Sequence, residues 1–268
     1  MNKELIQEDF FTQIGMNRLH CRWIKHSKTI QFPVIIFLHE GLGSIPQWKD
    51  FPETVGRGTR LDVFLYERTG YGKSSPLKEE RGLDYLHLEA QQLARVIIQL
   101  KITDYFLLGH SEGGSIALIH AAGNPPGLRG VITLSANIFY EPGIAKGISI
   151  VRQKFRENNS NLRNALQRFH NNPIDEIFYA WSETWTAKMF EEFNIKDSLN
   201  RVKIPILAMH GKEDEYTTLD QIFCLHKAVK GPVEMVVLDD CDHHPHISQR
   251  IKVLEYILQF LSDAAPSG

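Results

Sequence analysis

Six short, nearly uninterrupted apolar runs punctuate the chain, at 34–38, 61–66, 105–108, 131–134, 204–209 and 233–238. Between them apolar residues return with a helical period: Leu93, Val96, Ile97 and Leu100 fall on one stripe of 89–100, and 115–122 supplies a second apolar helix. A strand that is apolar at every position has no face for water, so helices must cover both sides of its sheet. The alternation predicts an α/β fold with a mostly parallel, doubly wound sheet. Ahead of it, 10–26 reads as two strands around Gly15-Met16-Asn17, a hairpin at the start of the sheet.

The strand pattern lapses over 136–200, where helical segments alternate with polar breaks such as Asn158-Asn159-Ser160 and Asn171-Asn172-Pro173. This divides the chain into a core formed by 1–135 and 201–262, a helical insertion at 136–200 and a frayed tail at 263–268. Within the insertion Leu162, Leu166 and Phe169 share one face, and Phe178, Trp181, Trp185 and Met189 form a more aromatic stripe. Such stripes ordinarily pack a segment onto its sheet. The sharper expectation is that Trp181 or Trp185 lines a substrate pocket.

Thirty basic and thirty-two acidic residues leave a formal charge of −2, so no overall field gathers nucleic acid or anionic lipid. Neither nucleic acid nor membrane is an expected partner, and oligomeric state is open. The opening MNKELIQEDFF mixes charge signs and lacks the apolar stretch of a signal peptide, so the expected location is the cytoplasm. Cys21, Cys224 and Cys241 are odd in number and widely spaced, which argues against a disulfide framework or a thiolate zinc site.

Gly109-His110-Ser111-Glu112-Gly113 is a G-x-S-x-G, a pattern that arises by chance in roughly one chain in ten of this length. Its context makes it informative: an apolar strand ends at Gly109 and a helix follows at once. A side chain projecting from so tight a turn needs small neighbours, which Gly109, Gly113 and Gly114 provide. The first amides of the helix then face Ser111, where developing negative charge meets oriented N–H groups.

With this elbow in place the chain, from about Phe32 to Leu261, resembles the α/β-hydrolase superfamily, and the insertion falls where that family carries its cap. Leu38-His39-Glu40-Gly41-Leu42-Gly43 is similar to the family's His-Gly loop after the first buried strand, with Glu40 where glycine is usual. The resemblance implies that the N–H groups of Gly41 and Glu112 form an oxyanion hole. Glu67-Arg68-Thr69-Gly70-Tyr71-Gly72-Lys73-Ser74 looks like the family's Asp-x-Arg-Gly-x-Gly-x-Ser turn, with Glu67 and Thr69 departing from it, and is expected to be purely structural. His210-Gly211-Lys212-Glu213-Asp214 and 239–246 follow the last two strands, where the resemblance places the triad acid at Asp214 and the base at His243. Glu213 is the alternative acid; His244 and His246 are the alternative bases. His39 and His110 are expected to pack, hydrogen-bonded, beside the elbow.

The resulting expectation is a serine hydrolase of the carboxylesterase kind, acting through Ser111, His243 and Asp214 on a small-molecule acyl substrate without cofactor or metal. Thioester, lactone, amide or carbon–carbon cleavage could run on the same groups. A serine at the elbow disfavours epoxide opening and dehalogenation, for which the family generally uses aspartate. The other classes of answer are a non-catalytic receptor on the same fold and a metal-dependent hydrolase built on the acids and histidines of 239–246. Glu40 and Glu112 both flank the expected oxyanion site, and two acids beside a developing anion are unfavourable unless they turn away or meet a cation. A substrate carrying a positive group, as for an aminopeptidase, would account for Glu40.

Overall fold

The computed structural model describes residues 5–157 and 161–264. Its strands are β1 (Ile6–Ile14), β2 (Asn17–Lys25), β3 (Val34–Leu38), β4 (Asp62–Tyr66), β5 (Tyr105–His110), β6 (Leu128–Leu134), β7 (Ile206–Gly211) and β8 (Val233–Leu238). The helices are α1 (Phe51–Thr59), α2 (Tyr85–Gln99), α3 (Glu112–Ala122), α4 (Pro142–Arg156), α5 (Asn161–Gln167), α6 (Ile174–Thr186), α7 (Lys196–Leu199), α8 (Asp220–Ala228), α9 (Pro245–Ser248) and α10 (Arg250–Ala264).

The strands form one sheet in the order β1-β2-β4-β3-β5-β6-β7-β8. From β4 to β8 every neighbour is parallel, while the β1–β2 hairpin joins antiparallel at one edge. The alternation along β3 shows how both faces fill: Val34, Ile36 and Leu38 join the core under α2 and α3, and Ile35 and Phe37 the core under α1 and α10. The sheet is mostly parallel and covered by helices on both sides.

Several strand limits differ from the apolar pattern: β6 begins at Leu128 rather than at residue 131, and β5 and β7 run on to His110 and Gly211. β1 begins at Ile6 rather than at residue 10; its first four residues are exposed, and it is held by pairing with β2, so no apolar alternation marks it. β7 begins at Ile206 rather than at residue 204, because Pro205 has no N–H to give to a ladder. Asp263 and Ala264, assigned to the tail, instead end α10, and 265–268 lie outside the described residues.

Between β6 and β7 the chain leaves the sheet and forms α4 to α7. Tyr71, Phe155, Leu166, Ile174, Ile177 and Phe178 make a separate small core there, centred on Phe155 and Phe178, which stack 3.7 Å apart. The break at Asn158-Asn159-Ser160 lies outside the described residues. The two aromatic stripes are shorter than their spacing implies. Phe169 falls in the turn after α5, and Met189 sits in a 3-10 turn beyond α6, 47% exposed, because the change of helical pitch rotates it off the stripe.

The loops after β3, β4, β5, β7 and β8 emerge at the carboxyl edge of the sheet, where a fold of this type gathers its chemistry. β3 lies between β4 and β5. The loops that follow these three strands are therefore immediate neighbours.

Candidate active site

β5 ends at His110 and α3 begins at Glu112, so Ser111 alone makes the turn. Its backbone sits at φ 52° and ψ −119°. A residue with a side chain held in such a region costs about 1–3 kcal/mol, which the surroundings must enforce. They do so from both sides: Ser111 N–H donates to Leu134 O at 2.8 Å, and Ser111 O accepts from the amides of Gly114 and Ser115 at 2.9 and 3.1 Å. The elbow is also wedged against β3, since a Cβ at Gly113 would overlap the carbonyl of Leu38.

His243, in the loop after β8, places Nε2 2.9 Å from Ser111 Oγ and Nδ1 2.7 Å from Asp214 Oδ2. Asp214, in the turn after β7, is fully buried, and its Oδ1 accepts the backbone N–H groups of Tyr216 and Thr217 at 2.8 and 3.1 Å. Burial works against its charge, but His243, His210 and the Tyr216 amide outweigh it and hold the carboxyl below the usual carboxylate range. Burial likewise disfavours a charged His243, yet Asp214, with Glu215 and Glu40, raises the imidazole above its ordinary value. The surrounding imidazoles behave in the opposite way: burial pushes His210 and His244 down to about 4.

His243 is clamped by its backbone as well. Its N–H donates to Glu215 Oε2 at 3.2 Å, and its carbonyl accepts from His110 Nε2 at 2.8 Å. None of the alternative groups is hydrogen-bonded into the chain from Ser111 through His243 to Asp214 among the described residues, although His244 lines the same cavity. Glu213 Oε2 accepts the Cys241 N–H at 2.7 Å, and His244 and His246 pack on the His110 ring at 5.1 and 4.8 Å. His39 packs behind the elbow, donating Nδ1–H to Glu40 O at 2.8 Å and accepting Arg68 N–H on Nε2 at 3.1 Å.

The two flanking acids have different surroundings. Glu112 is 1% exposed and its carboxylate is spanned by two donors, Arg68 Nη2 on Oε2 at 2.8 Å and Trp185 Nε1 on Oε1 at 2.7 Å. Burial alone would raise its pKa; the guanidinium groups of Arg68 and Arg81 more than offset this. Glu40 lines the cavity in front of Ser111, with Oε2 3.5 Å from His110 Nδ1. In the turn at 67–74, expected to be structural, Arg68 reaches both Glu112 and, at 2.9 Å, the carbonyl of Glu40. The available signal was its position: one of two charged residues, Glu67 and Arg68, that follow an entirely buried strand at the carboxyl edge of the sheet.

A cavity of about 320 Å³ opens above Ser111 and His243. Its floor is Gly41, Glu112 and Ser111; its walls are Ile144, Ile148 and Val151 of α4 and Leu162 and Leu166 of α5, with Trp181 and Trp185 of α6 completing the enclosure. Apolar surface makes up the larger part of the lining, and polar groups, among them Glu40, Asn137 and Lys154, enter between. This suits a small, largely apolar ligand oriented by a few contacts. Among the described residues no group of three His, Cys, Asp or Glu is placed to hold a metal ion, and no helix is long and apolar enough to cross a membrane.

Comparison with known proteins agrees with this architecture. A 2-succinyl-6-hydroxy-2,4-cyclohexadiene-1-carboxylate synthase of Shigella sonnei (strain Ss046) is 28% identical over 163 residues, which are 61% of this chain and 58% of that protein. The chain thus matches less than two thirds of that relative's length. Among solved structures, the serine hydrolase CCSP0084 from Cycloclasticus zankles superposes with a TM-score of 0.78 at 16% identity, covering 97% of this chain and 100% of that one. A 2-hydroxy-6-oxo-6-phenylhexa-2,4-dienoate hydrolase from Rhodococcus sp. strain RHA1 gives 0.76 at 18% identity, covering 97% and 99%. Likeness at these identities concerns the fold alone. A family model described as alpha/beta hydrolase fold matches residues 33–196, more than half of the chain, and with the sheet order described above the chain belongs to the alpha/beta hydrolase fold family.

Proposed function

We propose that the protein is a serine hydrolase that cleaves a small carboxylic ester or related acyl substrate through an acyl-enzyme, with Ser111 as nucleophile, His243 as base and Asp214 as acid. The observation that carries this reading is the continuous chain from Ser111 Oγ through both His243 nitrogens to Asp214, opening into an apolar cavity. His243 Nε2 takes the Ser111 proton as Oγ attacks the carbonyl, and Asp214 holds Nδ1–H and stabilises the imidazolium. The carbonyl oxygen becomes an oxyanion between the N–H groups of Gly41 and Glu112, the latter at the start of α3, where amides lack intrahelical acceptors. His243 returns the proton to the leaving group, and water then reverses the sequence. In this reading α4 to α6 form a cap whose apolar lining selects the acyl group.

The test is a series of p-nitrophenyl esters of graded chain length together with labelling by a fluorophosphonate. Turnover with modification at Ser111 is expected; folded protein that is neither labelled nor active would favour a receptor. Carbon–carbon cleavage is the second reading, prompted by the likeness in fold to a hydrolase named for an oxo-dienoate substrate, itself a carboxylate. A carboxylate-bearing substrate would meet Lys154 on the cavity wall. Turnover of a vinylogous diketone acid with no ester turnover would select that alternative.

The oxyanion loop makes its own prediction. A methyl group at Gly41 would overlap the Trp181 indole nitrogen and come within 2.7 Å of Glu112 Oε1. Gly41→Ala is therefore expected to lower kcat by about 100-fold, the scale of a lost oxyanion donor. Activity within a few-fold of wild type, in protein with unchanged circular dichroism, would remove this loop from the reaction.

A further inference from the structure

Arg68 is a buried charge for which the triad mechanism has no use. Its side chain is 1% exposed, packed over the Tyr71 ring at 4.8 Å, and paired with a carboxylate that is equally buried. Desolvating both ions is costly, and an apolar pair of similar volume would often be as stable. The pair is also poorly optimised for stability. Nε and Nη1 of Arg68 have no hydrogen-bond partner among the described residues, while Nη2 alone serves two acceptors.

One of those acceptors lies on a residue, and the other on a peptide group, that supplies an amide of the proposed oxyanion site. One is Glu112 Oε2, on the residue whose N–H heads α3. The other is Glu40 O, the carbonyl of the Glu40–Gly41 peptide. Among the described residues Phe32–Pro33 is the one cis bond, so the Glu40–Gly41 peptide is trans and its N–H points opposite to its C=O. With the carbonyl drawn back by Arg68 Nη2, by His39 Nδ1 at 2.8 Å and by Gly43 N–H at 3.1 Å, the Gly41 N–H is directed the other way, toward the cavity that Gly41 shares with Ser111. A charged donor on a peptide carbonyl also polarises the amide on the far side of that peptide.

We infer that Arg68 is the positioning residue of the oxyanion site, one guanidinium nitrogen fixing the Gly41 peptide and the Glu112 side chain at once. It touches no substrate and acts through the two amides. The topology explains how a residue after β4 can do this: β3 lies between β4 and β5, so the loop carrying Gly41 lies between Arg68 and the elbow, and a long side chain spans it. Glu112 then has a role as the anionic end of this tie, and an acid next to the nucleophile is accounted for without a cationic substrate.

The inference rests on the serine-hydrolase reading, and one set of measurements separates the two. Wild type, Arg68→Met, Arg68→Lys and Glu112→Gln are compared for ester kinetics, rate of phosphonylation by a fluorophosphonate, and inhibition by a phenylboronic acid, whose tetrahedral adduct needs the same amides. Arg68→Met is expected to lower kcat and phosphonylation by about 100-fold and to weaken the boronate in parallel, with KM within about 3-fold, the signature of a lost transition-state contact. The acid limb of the pH profile stays in place, and Arg68→Lys recovers part of the loss. Equal rates in Arg68→Met and wild type, a loss confined to KM, or a displaced acid limb would overturn the assignment. If Arg68→Met does not fold, Glu112→Gln decides: it keeps the shape and loses the charge, and is expected to slow phosphonylation about 10-fold, whereas rates within about 2-fold of wild type overturn the assignment. A wild type that neither labels nor turns over overturns the hydrolase reading, and this inference with it.

Discussion

Ser111→Ala is expected to lower ester turnover by about 10⁵-fold while leaving substrate binding nearly intact, because the nucleophile and its base act as a unit. The residual rate would come from the amides of Gly41 and Glu112 and from the cavity alone. Loss of fluorophosphonate labelling with a retained fold, checked by circular dichroism, completes the result; turnover surviving at more than a few per cent would show that Ser111 is not the nucleophile. Ser111→Gly provides a second measurement on the same position. Glycine adopts φ 52° and ψ −119° without the side-chain penalty, so this variant should be as inactive as Ser111→Ala yet melt at a higher temperature than Ser111→Ala. The strain at the elbow is thereby read separately from its chemistry.

Asp214→Asn is expected to reduce kcat by about 10⁴-fold, the effect of an imidazole held in the wrong tautomer. It carries a pH signature as well. The reactive form of His243 is neutral, so kcat/KM rises as pH passes upward through its pKa, which Asp214, Glu215 and Glu40 hold above the ordinary histidine value against the opposing effect of burial. The groups facing His243 are these three carboxylates, the rings of His110, His244 and Tyr216, and Ser111 itself. In wild type the acid limb should lie above pH 6.5, since the shift is upward from that value. Removing the Asp214 charge removes the largest raising influence, so the limb moves to lower pH in Asp214→Asn. A limb that stays where it was would mean that His243 is not the titrating base.

The sequence pattern was legible where one period or one motif sufficed. Apolar runs of strand length marked the inner parallel strands because both faces are buried, whereas β1 lies at an exposed edge and left only part of its length visible. Ser111 could be singled out because a strand precedes it and a helix follows without a spacer. The structure brings Asp214 and His243 to it from loops more than a hundred residues further along, in the order that the resemblance suggested. What could not be read was a contact depending on the side-by-side order of strands. Nothing in the spacing of Arg68 and Glu112 says that their loops are two strands apart, or that Trp185 closes on the same carboxylate. Met189 was misplaced for a local reason, the tightening of the chain after α6.

The hydrogen bond from Trp185 Nε1 to Glu112 Oε1 joins the roof of the cavity to the residue beside Ser111. An acyl group small enough for the cavity leaves this bond in place. One that displaces Trp185 would break it, releasing Glu112 and with it one end of the arrangement proposed to aim the two amides. Size selection would then operate as a verification step rather than as exclusion: oversized esters are still admitted, but the enclosure reports their misfit to the reacting centre. Along a homologous ester series the penalty would fall on kcat at nearly constant KM, and Trp185→Phe, which cannot report, would flatten it.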